Sequence, residues 1–356
     1  MTIMKDRLSK FEEQLAHSEA DAILITNLNN IYYLTGFSGT AATVFISGSR
    51  RIFLTDSRYT LIAKSVVKNF DIVETRDALT EISKIVKNDK LTVVGFEEEV
   101  SYNYFKSIET SFPNLQLLPL TNFVENLRMI KDVSEIEAIR RACHISDRAF
   151  LDLLDFIKPN KTSEREVMNF LDGRMRQLGA TGASFDFIVA SGYRSAMPHG
   201  VASDKIIQMG DMLTMDFGCY YNHYVSDITR TVHIGPASDE ENEIYGLVLR
   251  SNQAVIDSVK PGMTRRDYDK VARDVIDEAG YGQFFTHGIG HGVGLDVHEV
   301  PYFSNYDGSV EVGMVITDEP GIYIDNSFGV RIEDDLVITE NGCEVLTLAP
   351  KELIVL

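Results

Sequence analysis

The sequence predicts a mixed α/β (α+β) chain in two parts, and three observations carry that expectation. Residues 1–123 alternate helix-like and strand-like segments, as in a domain built on a covered sheet. Around residues 122–132 the pattern changes to long capped helices and paired extended segments. A length of 356 residues also leaves room for two domains. The boundary is placed at about residue 124, giving domains 1–124 and 125–356.

In the first part an opening helix precedes a buried strand at 22–26 and two more at 43–47 and 52–55. Helix is expected at 60–68, 78–87 and 102–112, and strand at 72–75, 92–95 and 115–118. There is no phosphate loop or glycine-rich dinucleotide fingerprint, and Asp56-Ser57-Arg58-Tyr59 reads as a strand-ending turn. In the second part Ser134-Glu135-Ile136-Glu137 reads as a capping box. It would open a helix with Ile136, Ile139, Ala142, Ile145 and Phe150 on one stripe. Ser163-Glu164-Arg165-Glu166 opens another, and helices follow at 240–259 and 265–279, the latter capped by Thr264 with Asp267.

Composition narrows the function. A net charge of -19 and the lack of any basic run argue against nucleic acid as a partner. Three scattered cysteines, Cys143, Cys219 and Cys343, fit a reducing compartment and argue against a thiolate metal cage. The charged start reads as no signal peptide, and no apolar run reaches membrane-spanning length, so a soluble, cytoplasmic protein with no membrane partner is expected.

The chemistry lies in the second part. Residues 287–299 carry His287, His291 and His298 among four glycines, a density of imidazole that packing does not explain. Two extended pairs supply carboxylates. Strands at 212–218 and 224–230, joined by a turn at Tyr221-Asn222, would set Asp216 directly opposite Asp227. Strands at 315–319 and 329–333, flanking a loop centred on Asn326, would set Glu319 against Glu333. Facing carboxylates repel, so something positive should sit between them. Four carboxylates with an imidazole suit a pair of divalent ions such as manganese, cobalt, iron or zinc.

These motifs together resemble the metallopeptidases of the "pita-bread" fold, which include aminopeptidase P, prolidase and methionine aminopeptidase. The resemblance runs in order through residues 191–200, 215–218, 226–231, 287–299, 319–323 and 331–335 to the ending at 350–354. Residues 30–37 resemble the amino-terminal domain of the creatinase, prolidase and aminopeptidase P branch. The resemblance implies a creatinase-like α/β domain followed by a pita-bread catalytic domain, and a homodimer. It implies metal ligands Asp216, Asp227, His291, Glu319 and Glu333, with Asp227 and Glu333 bridging two ions and manganese the foremost candidate. All five ligands are present, so creatine hydrolysis is not expected. Two departures stand out. His223 replaces a usual glycine, and Asp318 replaces an apolar residue and should point away from the ligands.

The implied reaction is attack of a metal-bridging hydroxide on the peptide bond before a proline in second position. Glu319 is expected to take the proton and His298 to stabilise or relay charge. His199 and His287 would position the substrate, and Arg331 would orient carboxylates from behind the ligands. Phe285, Tyr302 and Phe303 are candidates for the apolar wall that holds the proline ring. His17, His144 and His233 read as structural or surface residues. Prolidases of this type bind the free carboxylate of a dipeptide with an arginine between the His298-like and Glu319-like positions. Residues 275–330 contain no lysine or arginine, which places aminopeptidase P ahead of prolidase. A non-catalytic scaffold of the same fold is the remote alternative.

Overall fold

The computed structural model describes residues 2–303 and 308–356. The chain forms two compact units, Met1–Arg128 and Met129–Leu356. None of the described helices is long and apolar enough to cross a membrane.

In the first unit the apolar runs pair into one mixed six-stranded sheet. Its order is Asp71–Glu74, Arg51–Thr55, Thr43–Ser47, Ala22–Ile25, Val93–Glu97, Gln116–Leu120. Buried Leu24, Phe45, Leu54, Val94 and Phe96 lie under helices Ala78–Asp89 and Tyr102–Ser111. One helix, Leu28–Thr35, was not anticipated. Asn27 caps it by accepting from the backbone N–H groups of Asn29 and Asn30, and Gly36 ends it in the left-handed region. The short helix Glu125–Arg128 belongs to this unit, because Asn30 donates to Glu125 and accepts from Arg128 at 2.8 Å.

The second unit contains two apolar cores, each with one helix pair. Helices Val133–Leu154 and Glu164–Gln177 pack on the strands Ile188–Ser191, Met212–Phe217 and Ile228–His233. Helices Asp239–Ser258 and Arg265–Glu278 pack on the strands around residues 315–338. The capping box of the first helix lies two residues earlier than expected. Asp132 accepts from Ser134 and Glu135, and the Glu135 side chain reaches back to the Asp132 N–H. The boxes at Ser163 and the Thr264–Asp267 cap fall where the sequence puts them.

The first acidic hairpin differs from expectation by its turn. Tyr221 pairs with Tyr224, so the turn residues are Asn222 and His223, both with positive φ (47° and 72°). Moving the turn by one residue moves every partner by two, and Asp216 lies opposite Thr229 rather than Asp227. The shift is even, so Asp216 and Asp227 still point to one face, as a diagonal pair. Gly218 is required where the strands approach, because a Cβ there would collide with the Ser226 carbonyl.

The second hairpin keeps one register throughout. Asp318 pairs with Asp334 in one ladder, and Gly321 with Arg331 in the next. Glu319 and Glu333 occupy the gap between the ladders, opposite each other, with Asn326 (φ 57°) at the loop centre.

Candidate metal centre

Each donor is placed by its own element. Asp216 ends the strand Met212–Phe217, and Asp227 lies just before Ile228–His233, where the Asp335 carboxylate accepts its backbone N–H at 2.9 Å. His291 begins a two-residue strand, with its N–H bonded to the Thr317 hydroxyl at 3.0 Å. Gly290 allows that approach, since a Cβ there would strike the Thr317 carbonyl. Glu333 accepts from the Thr229 hydroxyl at 2.6 Å.

All five expected donors line a single cavity of about 480 Å³ within the second unit. Ligand atoms of Asp227, His291 and Glu333 lie within 4.8 Å of one another. His291 Nε2 is 3.7 Å from Asp227 Oδ2 and 3.6 Å from Glu319 Oε1. These gaps are too long for hydrogen bonds, yet short enough for a shared ion to fill.

The electrostatics call for that ion. Burial raises the Asp216 carboxyl above its ordinary value even with the Arg331 guanidinium beside it. Burial and the neighbouring Glu333 charge raise Asp227 well above the carboxylate range, and burial with Glu319 does the same to Glu333. Glu319, partly open to the cavity, is pushed to about 7, chiefly by burial. Burial holds His291 down at about 3, so the imidazole is neutral and supplies a lone pair rather than a counter-charge. Arg331 is the one lysine or arginine among the described residues lining the cavity. Asp216 Oδ1 is buried without a hydrogen-bond partner among the described residues. Four clustered carboxylates and a neutral imidazole are the donor set of hard or borderline divalent cations, one guanidinium offsets only part of their charge, and these residues fit such ions.

The remaining expected residues fall into distinct places. His199, His287 and His298 all line the cavity. The His298 ring meets His291 edge-on at 4.2 Å. His287 Nε2 lies 2.8 Å from the Tyr323 hydroxyl, and burial holds its pKa down at about 4. Arg331 donates to Asp216 at 2.6 Å, to the Thr229 hydroxyl at 2.9 Å and to the Tyr323 hydroxyl at 2.8 Å. Of the three aromatics, Tyr302 lines the cavity, but Phe285 packs edge-on against His287 and Phe303 packs on Tyr268. The apolar wall comes instead from Phe185, Ile188, Pro198, Val201 and Val297.

His223 is exposed at its turn, and Asp318 is buried behind the ligands, bonded to Asn252. His233 is buried, and its Nδ1 lies 2.6 Å from the Gly235 carbonyl. Tyr323, Thr229 and Asp335 were not singled out. Strand alternation two residues after Asp227 would have found Thr229, whereas Tyr323 and Asp335 are recognisable only in three dimensions.

Comparisons with known proteins identify the family. The profile of metallopeptidase family M24 matches residues 137–340, and that of the creatinase/prolidase N-terminal domain matches residues 7–130. A Pyrococcus furiosus protein named Xaa-Pro dipeptidase is 40% identical over 354 residues, 99% of this chain and 100% of that one. The solved Xaa-Pro dipeptidase from Bacillus anthracis superposes with a TM-score of 0.96 at 43% identity, covering 99% of this chain and 100% of that one. The X-Pro aminopeptidase from Thermotoga maritima superposes with a TM-score of 0.88 at 41% identity, covering 97% and 100%.

Proposed function

The chain belongs to metallopeptidase family M24, and from that premise we propose that it is an Xaa-Pro dipeptidase (prolidase) dependent on two divalent metal ions. The observation that carries this reading is its full-length likeness to two proteins named as Xaa-Pro dipeptidases. That likeness outweighs the missing cation and reverses the order in which the sequence placed the two activities. Asp216, Asp227, His291, Glu319 and Glu333 would hold the two ions. When bound, the ions would lower the pKa of a shared water and polarise the scissile carbonyl.

The protein's own groups do the rest. Glu319 accepts the proton of the attacking water, because it is the donor carboxylate partly open to the cavity and stands 3.6 Å from His291. His298, exposed to the cavity beside His291, donates an N–H to the oxygen on which charge develops. His287 is held between Gly288 and Tyr323 and presents a fixed ring to the substrate, and His199 lines the same cavity from the loop after Pro198. An X–Pro bond has no N–H to offer, so recognition rests on shape and on the apolar wall of Phe185, Ile188, Val201 and Tyr302. Manganese is the metal of this reading, supported by the oxygen-rich donor set. A homodimer and a cytoplasmic location belong to the same reading.

The second reading is Xaa-Pro aminopeptidase. It is favoured by the absence of lysine and arginine from residues 275–330 and by the engagement of Arg331 with Asp216. Cleavage of an Xaa-Pro dipeptide compared with an Xaa-Pro-Xaa tripeptide by manganese-loaded protein decides between them. The dipeptidase reading expects fast dipeptide and slow tripeptide cleavage, and the reverse would establish the aminopeptidase. With a complete donor set, inertness toward both peptides is not expected, and only that result would revive a scaffold role.

A further inference from the structure

Behind the donors, on the opposite face of the same hairpin, lies a second buried charge cluster that the reaction does not use. Asp318 and Asp334 each sit one residue from a donor, Glu319 and Glu333, and are direct partners across the ladder. Both are fully buried. Two carboxyl groups therefore meet, buried, at the point where the strands must bring Glu319 and Glu333 together.

The opposing cations are Arg230 and Lys351. Arg230 Nη2 donates to Asp334 Oδ1 at 2.8 Å and Arg230 Nη1 to the Glu333 carbonyl at 2.6 Å. Lys351, from the carboxy-terminal segment, donates to Asp334 Oδ2 and to Asn252 Oδ1, both at 2.8 Å. The Asn252 amide then reaches Asp318 Oδ2 at 3.0 Å and Asp334 Oδ2 at 3.1 Å. Arg230 and Lys351 both bond to Asp334, and Asp318 is reached by the Asn252 amide. Arg230 is committed to Asp334 and to backbone carbonyls, which leaves Lys351 as the charge that Asn252 relays toward Asp318.

We propose that Lys351 is a positioning residue for the metal centre, holding Glu319 and Glu333 at ligand spacing by anchoring Asp334 directly and Asp318 through Asn252. The proposal rests on Glu319 and Glu333 being metal ligands. The segment around Lys351 does not depend on its ammonium group for docking. Asp147 accepts the N–H groups of Leu348 and Ala349 at 2.8 Å, and the Tyr245 hydroxyl donates to the Lys351 carbonyl at 2.8 Å. A variant lacking the charge should therefore stay folded.

The test measures manganese affinity by competition with a chromophoric chelator, and the visible spectrum of the cobalt-loaded protein, for Lys351→Met, Lys351→Arg and Glu333→Gln. Residues behind metal ligands typically cost about 10- to 100-fold in affinity when removed. Lys351→Met is expected to bind manganese about tenfold more weakly and to shift the cobalt bands, and Lys351→Arg to recover most of both. If Lys351→Met lowers the melting temperature of metal-free protein but leaves affinity and bands unchanged, Lys351 is only structural and the proposal is overturned. If Glu333→Gln keeps full metal affinity, the ligand assignment fails instead, and the proposal with it.

Discussion

Asp216 has one carboxylate oxygen on Arg331 and the other without a partner among the described residues. Burial raises Asp216, Asp227, Glu319 and Glu333, Glu319 to about 7. A carboxyl raised on folding lends stability below its unfolded value and loses it as pH climbs through the folded one. Metal-free protein should therefore melt at lower temperature as pH rises from about 5 through about 7. Bound cations replace those protons, so manganese-loaded protein should hold its melting temperature. Thermal melts with and without manganese across that range check this, and a gap that does not widen with pH contradicts it. Arg331→Met strands Asp216 and should cost about 3–5 kcal/mol in urea unfolding of metal-free protein, since the lost partner leaves a buried charge unpaired. The loss should be smaller with metal bound. The gathering of the five expected donors in one cavity was legible because each lies in or beside a strand, where alternation fixes which way it faces. The hydrogen-bonded chain from Arg331 through Tyr323 to His287 was not legible, because it joins residues on separate elements.

At the scale of elements, the two acidic hairpins set the site. The second was read in its true register because Asn326 marks its centre, and Glu319 opposes Glu333 as expected. The first was misread by one turn position. The sequence places Asn222 second in the turn, whereas it is the first, and His223 shares its positive φ. The error left the faces intact because it moved partners by two. His223 therefore occupies a backbone conformation that disfavours side chains and lies at an exposed turn. His223→Gly should stabilise the protein by about 1 kcal/mol without changing kcat/KM, and a drop in kcat/KM would place His223 in the reaction. In the glycine-rich stretch, Gly290→Ala should push the backbone off Thr317, displace His291 and weaken metal binding by about tenfold. Calorimetric titration with manganese measures that change. The helix Leu28–Thr35 escaped the sequence reading because its first turn is rich in asparagine. Asparagine favours caps over helix interiors, and here Asn27 is the cap.

Taken whole, the chain is a metallopeptidase of family M24 whose donors all come from the second unit. The first unit carries the creatinase/prolidase N-terminal domain on its own six-stranded sheet. The two-part organisation was legible because the alternation of short strands and helices stops near residue 124, where long capped helices begin. Substrate length was not legible, since it depends on which group meets a free carboxylate, and the sequence offered only the absence of a cation. On the proposed function, the bond before proline is cleaved with two divalent ions held by these five side chains. The most direct test strips the protein of metal, adds manganese back in measured equivalents, and follows hydrolysis of an Xaa-Pro dipeptide beside an Xaa-Ala dipeptide. The account predicts no cleavage without metal, full Xaa-Pro cleavage at two equivalents and little action on Xaa-Ala. Persistent cleavage in stripped protein, or equal cleavage of both peptides, would contradict it.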